Sequence, residues 1–141
     1  MDDKNRITDD FITDLAADEV FVFGSNLRGF HGGGAAAMAL THFGAVWGQG
    51  VGMQGQSYAI PTMQGGVETI APYVDEFIEY AKAHPEKKFL VTEIGCGIAG
   101  FTPEEIAPLF AGAVSLGNVS LPKCFWDILE CDVPNHNKEN V

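Results

Sequence analysis

Apolar positions along this chain come in two spacings: short unbroken runs, and longer stretches that repeat every three or four residues. Val20-Phe-Val-Phe23, Ser57-Tyr-Ala-Ile60, Lys88-Phe-Leu-Val-Thr-Glu-Ile94 and Asn118-Val-Ser-Leu121 are rich in β-branched and aromatic residues and end at glycine or proline, the pattern of buried strands. Val67, Ile70, Ala71, Val74, Phe77, Ile78 and Ala81 share one helical face and make the strongest helix signal. Gly34-Ala-Ala-Ala-Met-Ala-Leu40 favours a helix by propensity and ends near Phe43-Gly44. Thr102-Pro-Glu-Glu105 supplies an N-cap, a first-turn proline and a capping-box glutamate for a helix that buries Ile106, Leu109, Phe110, Ala113 and Val114. Phe11, Ile12 and Leu15 among acids predict a short amphipathic lead-in helix within residues 1–18. Five glycines between residues 44 and 56 predict an irregular loop, Phe125-Trp126 and Ile128-Leu129 close the domain, and 132–141 reads as a flexible tail.

Strands alternating with helices predict an α/β fold, a single three-layer α/β/α domain over residues 19–131 with a largely parallel or mixed central sheet. In such sheets ligands bind where loops leave the carboxyl ends of the strands. A length of 141 residues matches one domain, and no apolar stretch approaches the ~20 residues of a membrane span. The opening Met1-Asp-Asp-Lys-Asn-Arg-Ile carries no targeting pattern, so the expected location is cytoplasmic. Three cysteines, Cys96, Cys124 and Cys131, give neither a disulfide framework nor a thiolate zinc pair, and the histidines are too scattered for a metal site. With 19 acidic and 8 basic residues the net charge is −11, which argues against nucleic acid as a partner.

Two glycine-rich loops stand at the predicted ligand edge. Gly24-Ser-Asn-Leu-Arg-Gly-Phe-His-Gly-Gly-Gly34 and Gly95-Cys-Gly-Ile-Ala-Gly100 each follow a strand and lead into a helix. Glycine allows close backbone approach, and unpaired N–H groups at a helix start attract an anion, so the pair reads as a cleft for a diphosphate-sized ligand. Given the acidic composition, backbone and not lysine must hold it. Gly95-x-Gly97-x-x-Gly100 matches the dinucleotide fingerprint, but Pro122-Lys123 stands where the acid of that fingerprint belongs. Gly50-x-Gly52-x-x-Gly55 precedes a strand, and Gly55-Gln-Ser57-Tyr-Ala59 enters a strand where a nucleophile elbow must leave one; neither carries its motif's chemistry. Cys96 is either a loop thiolate or a small side chain that the turn requires. His31 is either a general acid or base, a sugar contact, or an exposed loop histidine.

Val22-Phe-Gly-Ser-Asn26, then Gly32-Gly-Gly34-Ala-Ala-Ala, then Ile94-Gly-Cys-Gly-Ile-Ala-Gly-Phe101 resembles the macro domain, the ADP-ribose-binding fold. The phrases Phe-Gly-Ser-Asn-Leu and Gln-Gly-Gln-Ser-Tyr-Ala-Ile-Pro-Thr are similar to those of macro-like proteins of bacteria and their phages. The resemblance covers roughly residues 19–130. It implies a ribose contact for Asn26, close approach at Gly32, Gly33 and Gly34 beside Gly24 and Ser25, and a phosphate loop of Gly95, Cys96, Gly97, Ile98, Ala99, Gly100 and Phe101. It implies no cofactor and a small nucleotide partner. Three departures stand out. Macro domains open with an additional strand and a loop whose aspartate reads adenine, whereas here only ~18 residues precede the asparagine-bearing strand. The second loop has Ala99 where the family usually has an aromatic residue. Ala35, Ala36 and Ala37 follow the triple glycine where the family's hydrolases carry an acid.

Three functions follow as expectations. The first is a binding module for ADP-ribose or a related nucleotide diphosphate sugar, with the 47–56 loop closing over it and Trp47, Tyr58 and Phe101 as stacking groups. The second is a hydrolase of ADP-ribosylated substrates that uses His31 or an acid without an assigned position. The third is a protein-interaction module with no nucleotide.

Overall fold

Alternation along the second strand sets up both sides of the domain: Val20 and Val22 enter one hydrophobic cluster, Phe21 and Phe23 another. The computed structural model describes residues 6–135, with side chains to residue 130. Its strands are β1 (Ile7–Thr8), β2 (Glu19–Ser25), β3 (Gly52–Gln54), β4 (Ser57–Pro61), β5 (Lys88–Val91) and β6 (Val119–Pro122). Its helices are α1 (Gly34–His42), α2 (Val67–Ala83), α3 (Pro103–Ile106) and α4 (Lys123–Asn135). The six strands form one sheet in the order β1-β6-β5-β2-β4-β3, parallel except for β3.

The larger cluster packs α2, α4 and the segment after α3 against Val20, Val22, Ile60, Phe89, Val91, Val119 and Leu121. The smaller one packs Ala36 and Ala39 of α1 with Phe43 on Phe21, Phe23 and Ala59. The sheet is therefore covered on both faces, as the alternation of elements predicts. In α2 the buried residues Ile70, Val74, Phe77, Ile78 and Ala81 are those of the helical stripe. Thr102 caps α3 through the expected box with Glu105.

Four expectations need correction. Residues 11–16 do not form a lead-in helix; instead Ile7–Thr8 adds a parallel strand beside β6. Arg6 anchors that strand: its guanidinium donates to the carbonyls of Ala113, Val114 and Val119, and its own carbonyl accepts from Trp126 Nε1 at 2.8 Å. The glycine-rich stretch from 44 to 56 contains β3, which pairs antiparallel with β4 at the sheet edge. The α-helix begun at Pro103 stops at Ile106 and continues as a 3-10 helix over Ala107–Ala113, because Pro108 has no N–H to extend the α pattern. Finally, α4 runs on to Asn135, past the expected start of the tail; residues 136–141 lie outside the described residues.

Candidate functional site

With β1, β6, β5, β2 and β4 parallel, their carboxyl ends share one edge. From β2 the chain crosses to β4 on one side, then returns to β5 on the other. The crevice between β2 and β5 at that edge is the switch point at which open α/β sheets bind ligands. Here the two glycine loops meet: a Cβ on Gly24 would lie 3.4 Å from the nitrogen of Gly95.

A cleft of about 200 Å³ opens between them. Gly24, Ser25, Asn26, Gly33, Gly34, Gly95, Gly97, Ile98 and Ala99 line it; Gly32, Cys96, Gly100 and Phe101 do not. Backbone bonding explains the division in the second loop. The N–H groups of Cys96, Gly100 and Phe101 are committed to the carbonyls of Glu93, Gly97 and Gly95. Those of Gly95, Gly97, Ile98 and Ala99 have no acceptor among the described residues. The same holds at the start of α1, where Gly33, Gly34, Ala35 and Ala36 line the cleft with N–H groups that no carbonyl takes up, and no side chain caps the helix. Two sets of free donors thus border one space, the arrangement that holds an anion without a cationic side chain.

The glycines are not equivalent. Gly95 sits at φ +78°, and a Cβ there would come 3.1 Å from Ile106 Cδ1, so its turn needs glycine. Gly33 (φ −153°) and Gly97 lie outside the left-handed region; Gly97 has open space about it, and Gly33 has only Ile98 Cδ1 at 3.4 Å. At these two positions a side chain would not disturb the fold, and at Gly33 it would stand against Ile98 at the cleft.

A second cavity, of about 670 Å³, adjoins the first through Gly34, Ala35, Thr92 and Glu93. The loop after β1, from Asp9 to Thr13, forms its outer wall. Phe11 is 89% exposed there, and the buried Thr8 Oγ1 has no hydrogen-bond partner. Asp9, Asp10 and Glu93 make this end acidic, and among the described residues no lysine or arginine lines either cavity. Sequence reasoning missed this half because β1 is only two residues long and carries no periodicity. Thr62, Thr92 and Glu93 were accessible to it: each follows a strand at the ligand edge.

Several expected site residues have other duties. His31 is 1% exposed, packs edge-on against Phe23, and directs Nε2 to the Gln49 carbonyl at 3.0 Å and Gln54 Oε1 at 3.3 Å. Both partners are acceptors, so Nε2 carries the proton; a histidine so enclosed is a loop clamp, neither an exposed residue nor a cleft acid or base. Gln54, also buried, accepts from the Val46 N–H at 2.8 Å and donates to the carbonyls of Gln49 and Gly52. Ser25 Oγ donates to the carbonyl of Gly50. Asn26 lines the cleft while its amide brackets Phe30, accepting from its N–H and donating to its carbonyl, each at 2.9 Å. Burial, with Cys124 and Glu93 nearby, pushes the Cys96 thiol up to about 11, the opposite of what an activated loop thiolate needs. Tyr58 is a core residue against Phe77 and Tyr80, and Phe101 packs on the core beside Gly95. Trp47 is exposed, stacked on Phe30 at 5.3 Å between ring centroids.

Among the described residues no helix is long and apolar enough to cross a membrane. No family model, no curated protein and no solved structure matches this chain.

Proposed function

We propose that the protein binds ADP-ribose or a closely related nucleotide diphosphate sugar, as the resemblance to macro domains implies. The observation that carries this reading is the pair of loops whose unspent N–H groups border one narrow cleft at the sheet's switch point. The diphosphate lies in that cleft against the starts of α1 and of the 95–99 loop, and the far ribose lies beside Asn26. The base takes the larger cavity, where Asp9 or Asp10 accepts from an exocyclic amino group and Thr8 Oγ1 gains the partner it lacks. On this reading the two-residue strand Ile7–Thr8 and the Asp9-Asp10 pair after it would stand for the strand and aspartate loop that the family resemblance calls for. A cytoplasmic site of action belongs to the same proposal.

A second reading, a hydrolase acting on ADP-ribosylated substrates, rests on Glu93, a carboxylate shared by both cavities and able to take a proton from an attacking water. Glu93→Gln separates the two: it leaves a binder a binder and abolishes release of ADP-ribose by a hydrolase. The first test is calorimetry with ADP-ribose, with AMP, ribose 5-phosphate and inorganic phosphate as controls. The expected result is saturable binding of ADP-ribose that Asp9→Ala/Asp10→Ala weakens, while ribose 5-phosphate binding stays as it was. Absence of any ADP-ribose binding overturns the proposal and favours a protein-interaction module.

A further inference from the structure

The cleft continues beyond Asn26. A third cavity, of about 310 Å³, shares Asn26, Phe30 and Met63 with it and adds Leu27, Arg28 and Gln64. The three spaces therefore adjoin one after another, the first two through Gly34, Ala35, Thr92 and Glu93, the last two through Asn26, Phe30 and Met63. Leu27, Phe30 and Met63 stand about half exposed, a cost in water that the fold does not require of them. Leucine, phenylalanine and the methionine thioether all suit the face or edge of a flat ring. The Arg28 guanidinium, planar and able to stack on rings, lies 5.8 Å from the Phe30 centroid. Gln64 gives a polar corner: its Nε2 is committed to the carbonyls of Pro61 and Thr69, while its Oε1 has no donor.

This wall is held in place by buried polar groups. Trp47 backs Phe30, and the loops carrying them are locked together by Gly48 N–H to the Gly29 carbonyl at 2.9 Å and by the His31, Gln54 and Ser25 contacts to 46–52. The approach is so close that a Cβ on Gly29 would fall 2.3 Å from the Gln49 nitrogen. A buried histidine and a buried glutamine thus fix an exposed apolar surface, which is the economy of a preformed binding site and not of a core.

We propose that the third cavity takes a second planar ring attached beyond the ribose at Asn26, so that the preferred ligand is a dinucleotide diphosphate and not a free sugar nucleotide. This rests on the nucleotide reading above. A base in the acidic cavity, a diphosphate in the cleft and a ring against Leu27, Arg28, Phe30 and Met63 use all three spaces. The acidic end favours an amino-bearing base, and Arg28 favours a ring whose edge carries acceptors.

Calorimetry compares ADP-ribose with NAD⁺, NADH and diadenosine diphosphate, the three dinucleotides distinguishing a charged nicotinamide, a neutral one and a second adenine. The expected result is that at least one dinucleotide binds about tenfold more tightly than ADP-ribose, the usual effect of one added stacking contact. Leu27→Ala/Arg28→Ala, whose residues line the third cavity and not the cleft, should bring that ratio below about threefold while ADP-ribose affinity stays within about twofold. ADP-ribose binding with no dinucleotide preferred overturns the proposal, as does a variant that loses both ligands in parallel. Failure of all four ligands overturns the nucleotide reading itself, a result distinct from the other two.

Discussion

Gly33→Ser separates what the fold needs from what a ligand needs. Gly33 is the N-cap of α1 with extended φ and ψ of −153° and 165°, and no side chain caps that helix. Serine adopts this backbone freely and is among the preferred N-caps, worth a few tenths of a kcal/mol over glycine. Loss of glycine's freedom in the unfolded chain adds about 0.4–1 kcal/mol. The variant should therefore gain about 1 kcal/mol. At about 2.1 cal/mol/K per residue, 141 residues give an unfolding entropy of about 0.3 kcal/mol/K, so the melting temperature should rise about 3 °C. Binding should move the other way. The serine hydroxyl accepts from the same N–H groups at the start of α1 that an anion would use, and its Cβ stands in the cleft. On the proposed reading, ADP-ribose at ~100 times its dissociation constant should stabilise the wild type by about 2.7 kcal/mol, a shift of about 9 °C on the same scale; in Gly33→Ser most of that shift should vanish. Differential scanning fluorimetry with and without ligand reads both numbers. A lower melting temperature in the apo variant refutes the claim that the fold tolerates a side chain there. A higher one with the ligand shift intact refutes the assignment of these donors to the ligand.

Other substitutions sort the remaining residues. Gly50→Ala should cost about 3 kcal/mol, since its Cβ would lie 2.1 Å from the Asn26 carbonyl, whereas Gly97→Ala should stay within about 0.5 kcal/mol; equal costs in urea titrations would contradict the packing. Gln54→Leu keeps the volume but strands the Val46 N–H, takes one donor each from the carbonyls of Gln49 and Gly52 and one acceptor from His31 Nε2, which should lower stability by about 3 kcal/mol and the melting temperature by roughly 10 °C. The Cys96 and Cys124 thiols are both raised from 9.0 to about 11, first by burial. A raised thiol pKa favours the folded state while the thiol is neutral, so this contribution is intact below pH 9 and is lost as pH climbs from 9 through about 11. Site-resolved iodoacetamide labelling should keep accelerating up to that pH; a plateau near pH 9 would count against the burial.

Reading the sequence for structure worked where a local pattern carried the information. The stripe from Ile70 to Ala81 and the Thr102–Glu105 box became the helix face and cap they spell, because spacing and capping are local properties. The edge strands β1 and β3 escaped it: Ile7–Thr8 and Gly52–Gln54 are defined by the partners they pair with, β6 and β4, and not by their own composition. At the site, the glycine loops were legible because glycine marks backbone exposure whatever the topology. His31 and Tyr58 were not, since nothing in the chain says which polar or aromatic residue is turned inward; only the packing of Phe23 against one and of Phe77 against the other does.

The proposed anion in the cleft of so acidic a protein is a matter of where the charges lie. A net charge of −11 would oppose a phosphate held at the surface by a few lysines, because each competes with the surrounding carboxylates. Backbone N–H groups do not depend on that balance. They are fixed dipoles, aimed by the turn at Gly95 and by the axis of α1, and they act over a few ångströms. The side-chain charges can then grade the groove end to end, with Asp9, Asp10 and Glu93 at the wide cavity and Arg28 beyond Asn26. On the proposed reading such a gradient would disfavour a simple polyanion, whose charges repeat along its length, and would orient a ligand whose two ends differ. A groove with unlike ends would then select for polarity within the ligand as well as for a diphosphate.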